Sequence, residues 1–357
     1  MEKTKRIEWI DILRFIGIFS IYLSHLGTQA GTFYTFGYLY QVPLFFFIAG
    51  SVENLSRTDN SFVEHFKKRF KGIMLPYFFF GLVSIVLIFL EGNANAGIIR
   101  QTAIQNLLGI RGQLFAPALW FLPCIFVMGM IFFWLKKLVK NRWLILIIGI
   151  LLFLYSITLM PHRAIVTPSW FWNVDSAIFY FIYYAMGYAL FPYIRKLLVS
   201  RSVWAHIGFI ISAAIVVFYA MALLAGKNLV TEYFPRIPNS TYFIRLIGAI
   251  LLIWFSICLA QVLSSITLFQ KIGKDTLYLC GSEQVIRHFA PPLAAILGWD
   301  LAFKSPLSAI IFTFAAVLTA KFVVIPVLKT LYQALLELLY PSRLKAAIPE
   351  ESGHSVV

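Results

Sequence analysis

Acidic residues are scarce in this chain. Asp and Glu number 15 among 357 residues, against 30 Lys and Arg, and charged residues of both signs make up only 13%. Soluble domains carry about 25%, so the composition excludes a water-soluble enzyme with a large core. Cysteine is scarce too. Cys124, Cys258 and Cys280 all lie inside apolar runs and form no C-x-x-C pair, which argues against a disulfide framework and reads as buried apolar side chains. There is no short alternating pattern of the kind that builds a membrane barrel, no repeat of roughly 20–50 residues and no low-complexity tract.

What the chain has is apolar length. Hydrophobic residues make up 60% and the mean hydropathy is +0.82. Runs of about 20 apolar residues recur from end to end, the pattern of an all-α polytopic membrane protein. Ten transmembrane helices are expected, at 9–27, 36–53, 73–90, 118–135, 143–160, 177–193, 205–225, 241–263, 276–297 and 305–328. Polar connectors such as "EGNANAG" and "PRIPNS" separate them. The first run follows a basic N-terminus, but Arg14 interrupts it and its length is that of a span, so it reads as a retained helix rather than a cleaved signal. Residues 1–335 are expected to form one integral membrane domain. From Lys329 an apolar-periodic stretch, "LYQALLELLY", is expected to lie along the membrane surface, and 336–357 to form a cytoplasmic tail.

The excess of base has an orientation. With the N-terminus placed in the cytoplasm, 20 Lys and Arg fall in alternate segments that then face the cytoplasm. Six (Arg100, Arg111, Arg163, Lys227, Arg236, Lys304) fall in the outer loops, and Arg14, Arg245, Arg287 and Lys321 lie within spans. A bias that alternates loop by loop is the positive-inside pattern, with both termini cytoplasmic. It accounts for the net charge of +15 without nucleic acid as a partner.

Charges inside the spans require a reason, since each costs at least about 2.5–3.5 kcal/mol near the bilayer centre. In "IEWIDILRFIGIFSIYLSHLG" (Ile7–Gly27), Arg14 and His25 are eleven positions apart. At ~100° per residue that is three turns plus ~20°, so both point the same way, ~16 Å apart along the axis. Asp11, three positions before Arg14, shares that side. The stripe reads as a functional site on a face turned to the bundle interior. Taken singly, Arg14 reads as an ion pair with Asp11 or a snorkelling side chain, and His25 as an interfacial histidine. In "LYLCGSEQVIRHF" (Leu277–Phe289), Glu283 and Arg287 make an i,i+4 pair, which reads first as helix-to-helix glue. Arg245 and Lys321 have no local partner in the sequence. The segment "EHFKKRFKGIMLPY" (Glu64–Tyr77) is basic. It is either the positive-inside signal alone or, through Arg69 and Lys71, a phosphate-binding surface for an anionic cofactor.

These segments together resemble the acyltransferase-3 family, integral membrane acyltransferases that mostly modify bacterial cell-surface glycans. The family's Arg, ten residues, then His appears as Arg14 and His25. Its Phe-rich segment ending in Ser-Gly resembles "VPLFFFIAGS", with Ala49 in place of the Ser. Its Arg-x-Arg before a proline resembles "KKRFKGIMLPY", with Lys71 at the second basic position. "LWFL" (Leu119–Leu122) and "IGKDTLYL" (Ile272–Leu279) complete the order. Many members carry a His in the ninth span where this chain has Glu283.

The resemblance implies an acyl-CoA donor, usually acetyl-CoA, no metal, and a sugar hydroxyl on a glycan or polyprenyl-linked intermediate as acceptor. It also implies multi-pass residence in a bacterial inner membrane. His25 is the expected general base, since an imidazole's ordinary pKa lies near neutrality. Arg14 with Asp11 is expected to position the donor or stabilise charge, and Arg14, Arg69 and Lys71 to bind the cofactor. Glu283, Arg287, Trp120 and Tyr77 are expected to line the substrate pocket. An appended hydrolase domain of the SGNH type is not expected, so transfer is expected to finish in the membrane domain or with a partner. The rival reading is a polysaccharide or small-molecule transporter, for which polar groups in a bundle mark a path. A membrane scaffold is a third reading, one that gives the aligned Arg and His no purpose.

Overall fold

A computed structural model describes residues 7–26, 32–55, 61–92, 94–200, 203–225, 239–298 and 306–339, with the single positions 227, 301 and 303. Among them are twelve helices: α1 (Glu8–His25), α2 (Thr32–Val52), α3 (Phe62–Leu90), α4 (Ala96–Leu108), α5 (Phe121–Leu138), α6 (Arg142–Thr158), α7 (Val174–Val199), α8 (Val203–Leu224), α9 (Ser240–Val262), α10 (Thr267–Lys274), α11 (Thr276–Ile296) and α12 (Leu307–Leu339). Each of the ten apolar segments falls on a helix. By length and composition α3, α5, α8, α9, α12 and the helix ending at Val199 are apolar and long enough to cross a membrane. The N-terminal basic residues, Arg57, Arg201, Arg236, Lys304 and the chain beyond Leu339 lie outside the described residues.

Three features differ from the sequence reading. The basic segment before the third span is not a loop but about the first three turns of α3, capped by the Ser61 hydroxyl, which accepts from the Val63 N–H. The stretch from Lys329 continues α12 without a break. Two short helices, α4 and α10, fill connectors. Both α3 and α12 contain a π-helical turn, Phe70–Met74 and Ala320–Val324. Each lies just before a proline, Pro76 or Pro326. A proline ring has no N–H and crowds the carbonyl four residues back, and a widened turn relieves this.

α1 is the centre of the bundle, packed against α2, α9, α10, α11 and α12. Small residues set the closest crossings, as membrane helices require. A Cβ on Gly50 of α2 would strike the Tyr184 carbonyl, and one on Gly187 of α7 the Phe47 carbonyl. On α10, a Cβ on Gly273 would strike the Asp11 carbonyl. Gly273→Ala is therefore expected to destabilise the protein by about 1–3 kcal/mol through overpacking. Alanine for glycine within a helix is otherwise stabilising by roughly 0.5–1 kcal/mol. The sign of the change in thermal unfolding in detergent tests the crossing, and a raised Tm would refute it.

Candidate active site

The polar stripe of α1 faces inward. Asp11 is 2% exposed and Arg14 4%, and Arg14 Nη1 donates to Asp11 Oδ1 at 3.4 Å. Farther along α1, the Tyr22 hydroxyl donates to the Leu279 carbonyl at 2.8 Å and lies 3.2 Å from Ser282 Oγ. Those two contacts set the register of α1 against α11. The next turn of each helix brings His25 and Glu283 together, with His25 Nδ1 3.4 Å from Glu283 Oε1.

Glu283 is the least expected part of the site. It is 2% exposed and lies between His25 and Arg287, whose Nε is 3.6 Å away. Neither approach is aligned as a hydrogen bond: His25 Nδ1 and both Glu283 oxygens are buried without a hydrogen-bond partner among the described residues. Contacts in unliganded catalytic sites are often this loose and tighten when substrate binds. The self-neutralising Glu283–Arg287 pair of the sequence reading is thus a chain of three groups, with the carboxylate facing the imidazole and Arg287 half exposed at 49%.

His25 lines a cavity of about 260 Å³, together with Gln41, Arg111, Trp120, Tyr180, Arg245, Thr276 and an apolar wall that includes Ile18, Phe45 and Phe121. It falls just below the ~300–1,000 Å³ typical of sites that enclose a whole drug-sized ligand, so it suits the reacting ends of substrates rather than an entire nucleotide cofactor. One wall is pinned by Asn173, a buried residue at positive φ. The Asn173 side chain accepts from the Arg111 N–H at 2.7 Å and donates to the Trp120 carbonyl at 3.3 Å. Asp175, also buried, accepts from the Ser169 N–H at 2.8 Å and the Trp170 N–H at 3.2 Å, with His162 Nε2 at 2.8 Å.

The other residues singled out in the sequence lie elsewhere. Arg69 packs flat against Gly129 and is ion-paired with Glu53, which also accepts from the Tyr184 hydroxyl at 2.8 Å. Lys71 is exposed on the π-helical turn. Tyr77 is fully buried and donates to the Asn106 carbonyl at 2.5 Å, fastening α3 to α4, and it lines no part of the cavity. Lys321 finds a long-range partner in Asp275, which Lys329 Nζ also contacts at 3.0 Å. All three cysteines are buried and free. Gln41, Arg111, Tyr180 and Glu53 were missed as site residues. The one available signal was an isolated amide or acid beside a long apolar run, as Gln41 is in "LYQVPLFFF" and Glu53 just after it.

Among known families, the chain matches the model described as an acyltransferase domain over residues 7–325. No curated protein and no solved structure matches. The matched stretch runs from the start of α1 into α12 and takes in the Asp11–Arg14 pair, His25, Glu283 and every residue of the cavity wall. The chain therefore belongs to the acyltransferase-3 family and is an all-helical acyltransferase with the apolar helices of a membrane protein.

Proposed function

We propose that this protein is a multi-pass O-acetyltransferase of a bacterial inner membrane, moving an acetyl group from cytoplasmic acetyl-CoA to a hydroxyl of a cell-surface or lipid-linked glycan. One observation carries the reading: an imidazole on the wall of a small cavity, with a buried carboxylate behind it. With Nδ1 turned to Glu283, the other nitrogen of His25 is left for substrate. It takes the proton of the acceptor hydroxyl as that oxygen attacks the thioester carbonyl. The C–S bond then breaks, the imidazolium returns the proton to the thiolate, and an ester and free CoA result. The Glu283 carboxylate orients the ring and stabilises the imidazolium, the part an acid plays behind a catalytic histidine. Arg14, held by Asp11, supplies positive charge deeper in the bundle for the donor. Lys71, exposed, and Arg69, steadied by Glu53, meet the donor's phosphates at the end of the bundle expected to face the cytoplasm.

The test is transfer from labelled acetyl-CoA by the purified protein in lipid. Wild type should release CoA, slowly to water and faster with a glycan acceptor. A protein that does not bind acetyl-CoA at all would remove the donor assignment and leave the transporter reading. Glu283→Gln, similar in volume but uncharged, is expected to lower kcat about 10–100-fold with little change in KM for acetyl-CoA, as loss of an orienting partner does elsewhere. A kcat within twofold of wild type would make Glu283 a structural partner of Arg287 alone.

A further inference from the structure

The cavity beside His25 has an unbalanced charge. Two guanidinium groups line it, Arg111 from the loop after α4 and Arg245 from the second turn of α9. Both lie close enough to the Tyr180 side chain to act on it electrostatically. Among the described residues no acid lines the cavity, and neither arginine has a carboxylate within ion-pair distance. The nearby acids are engaged elsewhere: Asp175 by His162 and two backbone N–H groups, and Glu283 by His25 and Arg287. Resting on the acyltransferase reading above, we propose that the acceptor carries a negative charge, a carboxylate or a phosphodiester, on or next to the sugar that is acylated, and that Arg111 and Arg245 bind it.

Arg111 is held in place before any ligand arrives. Its backbone N–H is fixed by Asn173, its guanidinium donates to the Ile165 carbonyl, and it lies 4.9 Å over the Trp120 ring. The Tyr180 hydroxyl engages the guanidinium as well, which leaves part of its five-donor fork for a ligand, and the planar group suits carboxylate or phosphate oxygens. A second observation points to a ligand. Gln41, 2% exposed, lines the same cavity with its Oε1 unpartnered among the described residues. A buried amide oxygen of this kind requires a donor, and the hydroxyl of a sugar ring supplies one. Anion, hydroxyl and general base are then served by a single cavity, two arginines, one amide and His25. A neutral sugar would leave both guanidinium groups without a counter-charge among the described residues.

Binding of three probes to the purified protein in nanodiscs tests this, each below its micellar concentration: octyl β-D-glucuronide, farnesyl phosphoglucose and octyl β-D-glucoside. At least one anionic probe is expected to bind about tenfold or more tightly than the neutral glucoside, the usual weight of a charge-assisted contact. A preference for the glucuronide assigns the charge to the sugar, and one for the phosphoglucose to a lipid carrier. Arg245→Gln should abolish the preference and Arg245→Lys retain most of it. Equal binding of all three probes by wild type overturns the proposal. So does a loss of acetyl-CoA affinity in Arg245→Gln with the preference intact, which would give the arginines to the donor's phosphates. If wild type never consumes acetyl-CoA, the acyltransfer reading fails instead, whatever the sugars do.

Discussion

His25→Ala is expected to slow acetyl transfer about 10²–10⁴-fold, the usual contribution of a positioned acid–base group. The loss should appear in kcat, since the imidazole moves a proton only as the acceptor oxygen attacks, and should leave acetyl-CoA binding nearly unchanged. The fold should survive. His25 Nδ1 makes no hydrogen bond that holds the bundle, Glu283 keeps Arg287 beside it, and the register of α1 against α11 rests on Tyr22. Single-turnover CoA release by wild type and variant, alongside their thermal unfolding, checks both halves. An unfolded variant would speak only to stability, and His25→Gln, which keeps a polar side chain against Glu283, then serves as the second arm. Transfer at the wild-type rate in a folded variant would remove His25 from the chemistry.

The largest expected effect on stability is at the other end of the stripe. Removing one member of a buried ion pair leaves a charge without its counterpart and costs about 3–5 kcal/mol. Asp11→Ala is therefore expected to lower the unfolding temperature sharply, because Arg14, 4% exposed, cannot reach water without disrupting α1. Replacing both members by apolar residues of similar size, Asp11→Leu with Arg14→Met, should restore most of that stability, as it does for other buried pairs. The double variant also separates two roles. Recovered stability with lost transfer makes Arg14 part of the donor site, whereas recovered stability with full activity makes the pair structural only.

Much of the helical frame was legible before any coordinates. Apolar runs of spanning length place helices because a buried backbone must satisfy its own hydrogen bonds within the segment. The ten segments read from the sequence each fall on a helix for that local reason. The inward stripe of α1 was legible for the same reason, since the interval between Arg14 and His25 fixes their common face. Where the reading failed, a tertiary or capping effect overrode composition. Ser61 starts α3 about three turns before the apolar run begins.

The site itself was only half legible. From the sequence, Glu283 has a partner four residues on and no visible link to His25, which lies 258 positions earlier in the chain. Only the packing of α1 on α11, locked by Tyr22 against the Leu279 carbonyl, puts the carboxylate behind the imidazole. Arg69 reads as a free phosphate ligand until the fold brings Glu53 to it. Gln41 from α2, Arg111 and Trp120 from the connector after α4, and Arg245 from α9 meet at one cavity wall. What is periodic and local is legible in the residue order alone: the apolar helices, the polar face of the first of them, and Asp11, Arg14 and His25 on that face. The tertiary structure decided which distant charges meet, because a buried charge takes whatever partner the packing brings within reach, and chain distance does not enter Coulomb's law.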